Sequence, residues 1–246
     1  DLLKLGRIHT PGEVGKAVAR ARQAGFQRIN VDLMFGLPGQ RLGGWRNNLQ
    51  IALGLGTDHL SLYGLTIEQN TRFHRLYHRG MLDLPDEDRQ IEMYELARQL
   101  CHENGLEQYE ISNFAKPGHE CLHNLEYWHC EEYAGYGPGA VGCFGDRGNR
   151  TRYTNMKGPK LYVEAMTQDK SLWCEEEHLD AKTHEVERIM MGMRLNEGLD
   201  SEGLDQKTVN RLESLGLITF LQADRIALTQ KGRHLANQVI TELIPS

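Results

Sequence analysis

The first half of the chain alternates short apolar runs with segments whose apolar residues recur every three or four positions. Thr10-Pro11-Gly12-Glu13 opens the first periodic segment, with Thr as N-cap, Pro at the first helical position and Glu closing a capping box. Val14, Val18 and Ala21 then share one face, and Gly25 supplies the stop. Residues 28–34 have the length of a strand and run into the turn Phe35-Gly36-Leu37-Pro38-Gly39. A second helix is expected over about 44–53, with Trp45, Leu49 and Ala52 or Leu53 inward, and a second strand over 59–63. A polar stretch, 66–80, precedes a long helix capped by Asp86 or Asp88. In it Ile91, Tyr94, Leu96, Ala97 and Leu100 recur before Gly105. A third strand is expected over 108–112.

Helix and strand in alternation imply βα units with parallel strands, which carry functional groups on the loops after the strand carboxyl ends. Asp32 stands inside a mostly apolar strand, directly before the 36–40 loop. The segment around His123 follows the third expected strand and is expected on the same sheet edge as Asp32. The pattern opens with a helix that should follow a strand, three strands cannot close a barrel, and residue 1 is not Met. An absent N-terminal part is therefore expected.

After Gly135-Tyr136-Gly137-Pro138-Gly139 the alternation stops. A helix is expected over 159–166, then another over 185–195 capped by Thr183, and a third over 208–215. Two short strands, 217–220 and 225–228, flank a turn at Gln222-Ala223-Asp224, and Thr229 caps a last helix. Helix, helix, hairpin, helix is a winged-helix outline. The fold class expected is α/β: a fragment of a (βα) barrel with parallel strands over 1–170, and a small winged-helix-like α+β domain over 171–246.

Charge narrows the partners. A net charge of −6 gives no electrostatic reason to expect nucleic acid, and Asp205, Lys207, Arg211 and Glu213 do not make a basic recognition helix. A packing or lid role fits that domain better. No apolar run approaches the ~20 residues of a membrane span. Five cysteines, odd in number and without a Cys-x-x-Cys pair, argue for a reducing compartment, with cytoplasmic location the default.

The most informative chemistry lies in twelve residues. His119, Cys121, His123, His129 and Cys130 can all bind soft or borderline metals, and Tyr127-Trp128 can stack on a flat ligand. A nitrogen ligand beside an aromatic platform suits a metalloporphyrin. A solvated surface loop with inward aromatics, or a zinc site, reads the same residues differently, although their spacing fits no common structural zinc pattern. Cys121 and Cys130 stand as alternative axial ligands.

The block Ile29-Asn30-Val31-Asp32-Leu33-Met34-Phe35-Gly36-Leu37-Pro38-Gly39-Gln40 resembles the DL(I/M)YGLPGQ motif of radical SAM proteins related to oxygen-independent coproporphyrinogen III oxidase. Leu65-Thr66-Ile67-Glu68, Leu84-Pro85-Asp86-Glu87 and Tyr109-Glu110-Ile111-Ser112-Asn113-Phe114-Ala115, with Pro117-Gly118-His119-Glu120, resemble further blocks in the family's order. His123-Asn124-Leu125-Glu126-Tyr127-Trp128 matches the HNxxYW motif of the heme-chaperone branch. The resemblance spans essentially the whole chain. It implies a partial (βα)6 barrel whose mouth is lined by the 36–40 loop, S-adenosylmethionine (SAM) near Asp32, heme on His123 with Tyr127 and Trp128 beside it, and a heme-acceptor protein as partner. Oxidative decarboxylation of coproporphyrinogen III is the alternative activity.

The sequence also departs from the family. The C-x3-C-x2-C motif that binds a [4Fe–4S] cluster is absent, so the cluster is expected only in the full-length protein, and radical chemistry is not expected of this chain alone. Val141 stands where many relatives carry histidine.

Overall fold

The computed structural model describes residues 1–2, 5–221 and 224–245. They pack as two compact units, Asp1–Glu120 and Cys121–Ser246. The Gln222-Ala223 part of the expected turn lies outside the described residues.

The first unit contains helices α1 (Pro11–Gln23), α2 (Leu42–Leu53), α3 (Arg72–His78) and α4 (Glu87–Glu103). Its strands are β1 (Asn30–Phe35), β2 (His59–Gly64), β3 (Glu107–Gln108) and β4 (Asn113–Ala115), in the order β1-β2-β4-β3. α1 starts where its capping box predicts: the Glu13 amide donates to Thr10 Oγ1, and the Thr10 amide donates to Glu13 Oε2 at 2.7 Å. Asp86 caps α4 through the Arg89 amide at 2.9 Å.

β1 and β2 run parallel, Asn30 opposite His59 and Asp32 opposite Ser61. Side chains alternate between sheet faces, so the pairing sorts this register into an apolar face and a polar one. Val31, Leu33, Phe35, Leu60 and Leu62 pack with Trp45, Leu49, Met93, Leu96 and Ala97 of α2 and α4. Asn30, Asp32, His59 and Ser61 occupy the other face. Trp45 is fully buried, and its indole N–H donates to the Met93 carbonyl at 2.8 Å.

The third parallel strand expected over 108–112 is replaced by a tight reversal. Glu110 is buried, its carboxylate accepts the Ser112 amide at 3.1 Å, and the Tyr109 amide donates to the Asn113 carbonyl at 3.1 Å. β4 consequently runs antiparallel to β2, with Ala115 opposite His59. The sheet is mixed rather than wholly parallel. The chain leaves β4 beside Asp58, whose carboxylate Lys116 meets at 3.0 Å, at the amino end of β2. The expectation that the following segment departs from the carboxyl edge is corrected by this reversal. The polar stretch 66–80 also holds a helix, α3, capped by Thr71 through the His74 amide at 3.1 Å.

The second unit opens with α5 (Leu122–Trp128). An antiparallel sheet follows, ordered β5-β6-β7, from β5 (Val141–Asp146), β6 (Asn149–Asn155) and β7 (Trp173–Asp180), with α6 (Pro159–Thr167) between the last two. Because β6 pairs with β7, a boundary at 170/171 would cut this sheet; the compact units divide at 120/121 instead. Its strands lack apolar alternation, and β6 and β7 are joined in part by an ion pair, Arg152 with Glu177 at 2.6 Å; Arg152 also meets Glu187, outside the sheet, at 2.6 Å.

α7 (Ala181–Gly192), β8 (Leu199–Asp200), α8 (Gln206–Ser214), β9 (Ile218–Phe220), β10 (Arg225–Leu228), α9 (Gln230–His234) and α10 (Ala236–Leu243) complete the unit, with sheet order β8-β10-β9. Ile189, Val209, Leu212, Ile218, Ile226 and Ile240 are at the centre of their shared core. Asp180, not Thr183, caps α7; its carboxylate accepts the Thr183 amide at 2.8 Å. Thr229 caps as expected, with the Gly232 amide at 3.0 Å.

Candidate functional sites

The polar face of β1 and β2 carries a connected set of side chains. Asn30 Nδ2 donates to Asp32 Oδ1 at 2.7 Å and to Ser61 Oγ at 2.9 Å. Asn30 Oδ1 lies 2.7 Å from His59 Nδ1, and His59 Nε2 lies 2.8 Å from the Tyr109 hydroxyl. Asp32 is exposed while His59 and Ser61 are buried. Burial holds the His59 imidazole below its ordinary pKa, with the charges of Asp32 and Glu120 acting in the opposite direction.

The loop after β1 is set by its backbone. Gly36 and Gly39 have φ of 73° and 66°, the left-handed region that disfavours side chains. The Leu37 amide donates to Gln40 Oε1 at 3.3 Å, and the Gly39 amide donates to the Asp83 carbonyl at 2.7 Å. The first bond closes the loop on itself, and the second ties it to the segment before α4. The Glu68 side chain is exposed ahead of α3.

The second set of residues lies on α5. The HNxxYW hexapeptide is helical, which puts His123 and Tyr127 one turn apart on one face. Their rings meet edge-on, centroids 4.9 Å apart at 81°, and Tyr127 meets Tyr133 at 4.6 Å. His123 is exposed, and its imidazole forms no hydrogen bond with a described residue. The Trp128 indole nitrogen is buried without a partner among the described residues.

The other metal-binding side chains do not join His123. Among the described residues no three His, Cys, Asp or Glu groups come together as a metal site. His129 pairs with Glu197 at 2.7 Å. Cys130 sits in the left-handed region, and burial pushes its thiol up to about 11, which keeps it protonated and a poor ligand at neutral pH. Cys121 is exposed.

Asp32, His123, Tyr127 and Trp128 were the residues expected from the sequence. The structure puts Asp32 in the first unit and the other three on one helix of the second. Asn30, His59, Tyr109 and Tyr133 had escaped notice. The alternation His59-Leu60-Ser61-Leu62, polar and apolar in turn, was the available signal for a polar face on β2.

No protein-family profile matches the chain. It is 36% identical over 251 residues to "Heme chaperone HemW" of Bacillus subtilis, covering 97% of this chain and 65% of that protein. With the protein of the same name from Mycobacterium tuberculosis H37Rv it shares 35% identity, covering 99% of this chain and 62% of that one. Over nearly its whole length the chain is similar to these HemW proteins. Mouse "Radical S-adenosyl methionine domain-containing protein 1, mitochondrial" is 43% identical over 148 residues, 60% of this chain and 34% of its own length. Coproporphyrinogen III oxidase (HemN) of Escherichia coli superposes with a TM-score of 0.76 over 99% of this chain and 61% of its own. At 18% identity it shows the fold alone. The chain thus spans slightly under two thirds of the HemW proteins it matches. Among the described residues, no helix is long and apolar enough to cross a membrane.

Proposed function

We infer that this chain is the heme-holding part of a HemW-type heme chaperone. The observation that carries the reading is the His123 imidazole, exposed, without a hydrogen bond to a described residue and braced edge-on by Tyr127 inside an HNxxYW helix. An exposed imidazole nitrogen can take the axial position of heme iron. Tyr127 and Trp128 would flank the porphyrin, and heme, the cargo, would pass from this helix to an acceptor protein.

Asp32 would meet SAM. A carboxylate accepts hydrogen bonds only, and SAM carries donors in its ribose hydroxyls and its ammonium group. The barrel-fragment reading supports this, with the polar face of β1 and β2 as lumen and the 36–40 loop as rim, and with α7 to α10 and their strands as a winged-helix-like domain. A [4Fe–4S] cluster has no ligand set among the described residues of this chain. When bound, the SAM and cluster pair supplies one-electron chemistry.

Heme titration of the chain and of His123→Ala, followed at the Soret band, tests the reading. Loss of binding in the variant is expected; equal affinity would remove His123 from it. Efficient conversion of coproporphyrinogen III by the full-length protein would instead favour the oxidase.

A further inference from the structure

The side chains behind Asp32 form a hydrogen-bond chain whose direction can be worked out group by group. A carboxylate can only accept, so the group 2.7 Å from Asp32 Oδ1 is the NH2 of Asn30. That orientation turns Asn30 Oδ1 toward His59 Nδ1 at 2.7 Å. An amide oxygen also only accepts, so Nδ1 carries the imidazole proton. Burial keeps His59 neutral against the charges of Asp32 and Glu120, which leaves Nε2 bare to accept the Tyr109 hydroxyl at 2.8 Å. Every donor in the series therefore points toward Asp32. Ser61 Oγ accepts the second Asn30 proton at 2.9 Å, and the acceptor-only Asp32 carboxylate keeps the amide from turning over. The second oxygen of Asp32, Oδ2, accepts nothing from a described residue and sits on an exposed side chain.

We propose that His59 is a positioning residue: fixed as its Nδ1–H tautomer between Tyr109 and Asn30, it sets Asn30 so that Asp32 presents Oδ2 to a hydrogen-bond donor of bound SAM. The proposal deepens the assignment of Asp32 above and rests on it. His59 itself does not touch the ligand. Its contribution is to hold an exposed carboxylate in one orientation, so that no rotamer freedom is lost when the ligand arrives.

Two measurements test it. Long-range 1H–15N spectra of the folded chain should show His59 protonated at Nδ1 and bare at Nε2, with Nε2 shifting in Tyr109→Phe. A proton found on Nε2 would overturn the proposal. Equilibrium dialysis with labelled SAM should show binding lost in Asp32→Asn and weakened about tenfold in His59→Phe, the equivalent of one hydrogen bond. His59→Gln, whose amide N–H can replace the donor to Asn30, should stay within about threefold of the parent. Thermal melts establish that each variant is folded. Impaired Asp32→Asn beside an unaltered His59→Phe would overturn the proposal while leaving Asp32 in place. An unaltered Asp32→Asn, or no binding by the parent chain, would overturn the assignment of Asp32 and the proposal with it.

Discussion

The rings of His123 and Tyr127, one helical turn apart, meet edge-on at 4.9 Å. Tyr127 also meets Tyr133 at 4.6 Å, so the imidazole plane is braced by packed rings before any ligand arrives. Aromatic pairs of this geometry contribute about 0.5–1.5 kcal/mol beyond the area they bury. Tyr127→Leu should weaken heme binding by about threefold to tenfold, whereas Tyr127→Phe, which keeps the ring, should match the parent. Identical Soret titrations for all three proteins would show that the ring contact does not orient His123.

Trp45 is the largest fully buried side chain of the first unit. Replacing it with Ala removes the packing under β1 and β2, and such changes cost about 3–5 kcal/mol. Trp45→Phe keeps most of the volume and loses the 2.8 Å bond to the Met93 carbonyl, so its loss should be clearly smaller. Urea unfolding followed by circular dichroism ranks the two. An unmoved midpoint in Trp45→Ala would contradict the core described for this unit.

Glu110 gives stability an unusual pH dependence. Burial raises its pKa above the ordinary 4.5, outweighing the donors of Ser112, Asn113 and Ile111 that lower it. The folded state therefore holds this proton more tightly than the unfolded state does. Its stabilising contribution is complete below the unfolded pKa and is lost as pH rises through the raised folded value. Glu110→Gln should therefore gain in melting temperature relative to the parent on going from acid to neutral pH. A difference between the two proteins that stays constant with pH would refute this.

Gly135 has no room for a side chain. A Cβ built there falls 2.4 Å from the Val141 carbonyl oxygen, a backbone atom that cannot swing aside. Gly135→Ala should separate the 133–135 segment from β5 and disturb the bridge between Tyr133 and Cys143. Overpacking of this kind costs about 1–3 kcal/mol. Faster proteolysis between residues 131 and 146 is the expected sign, and a cleavage pattern like the parent's would speak against the contact.

Most of the first unit was legible because local signals agree there. The capping box at Thr10, the inward row Trp45, Leu49 and Ala52, and the cap at Asp86 are all present in the structure. The reversal at 109–112 was not legible, because Tyr109 to Ser112 reads as strand while a buried carboxylate bonded to the Ser112 amide bends the chain. The sheet of β5, β6 and β7 escaped for a related reason: its strands carry runs such as Glu175-Glu176-Glu177 and are joined by register and an ion pair instead of an apolar face. At the sites, residue types could be chosen from motifs. Which of them share a face depends on the strand register, as with Asn30 opposite His59.

The direction of the Asn30 amide has a consequence for how this sequence can vary. Asn30 receives a proton from the imidazole on one side and gives one to the carboxylate on the other, so it inverts the polarity of the contact between two groups. Aspartate at that position would offer only acceptors and set a second negative charge beside Asp32. A hydrophobic residue would leave His59 buried and unsatisfied. Positions 30 and 59 are thus expected to drift together or not at all, so that proteins differing at one should carry a matching change at the other.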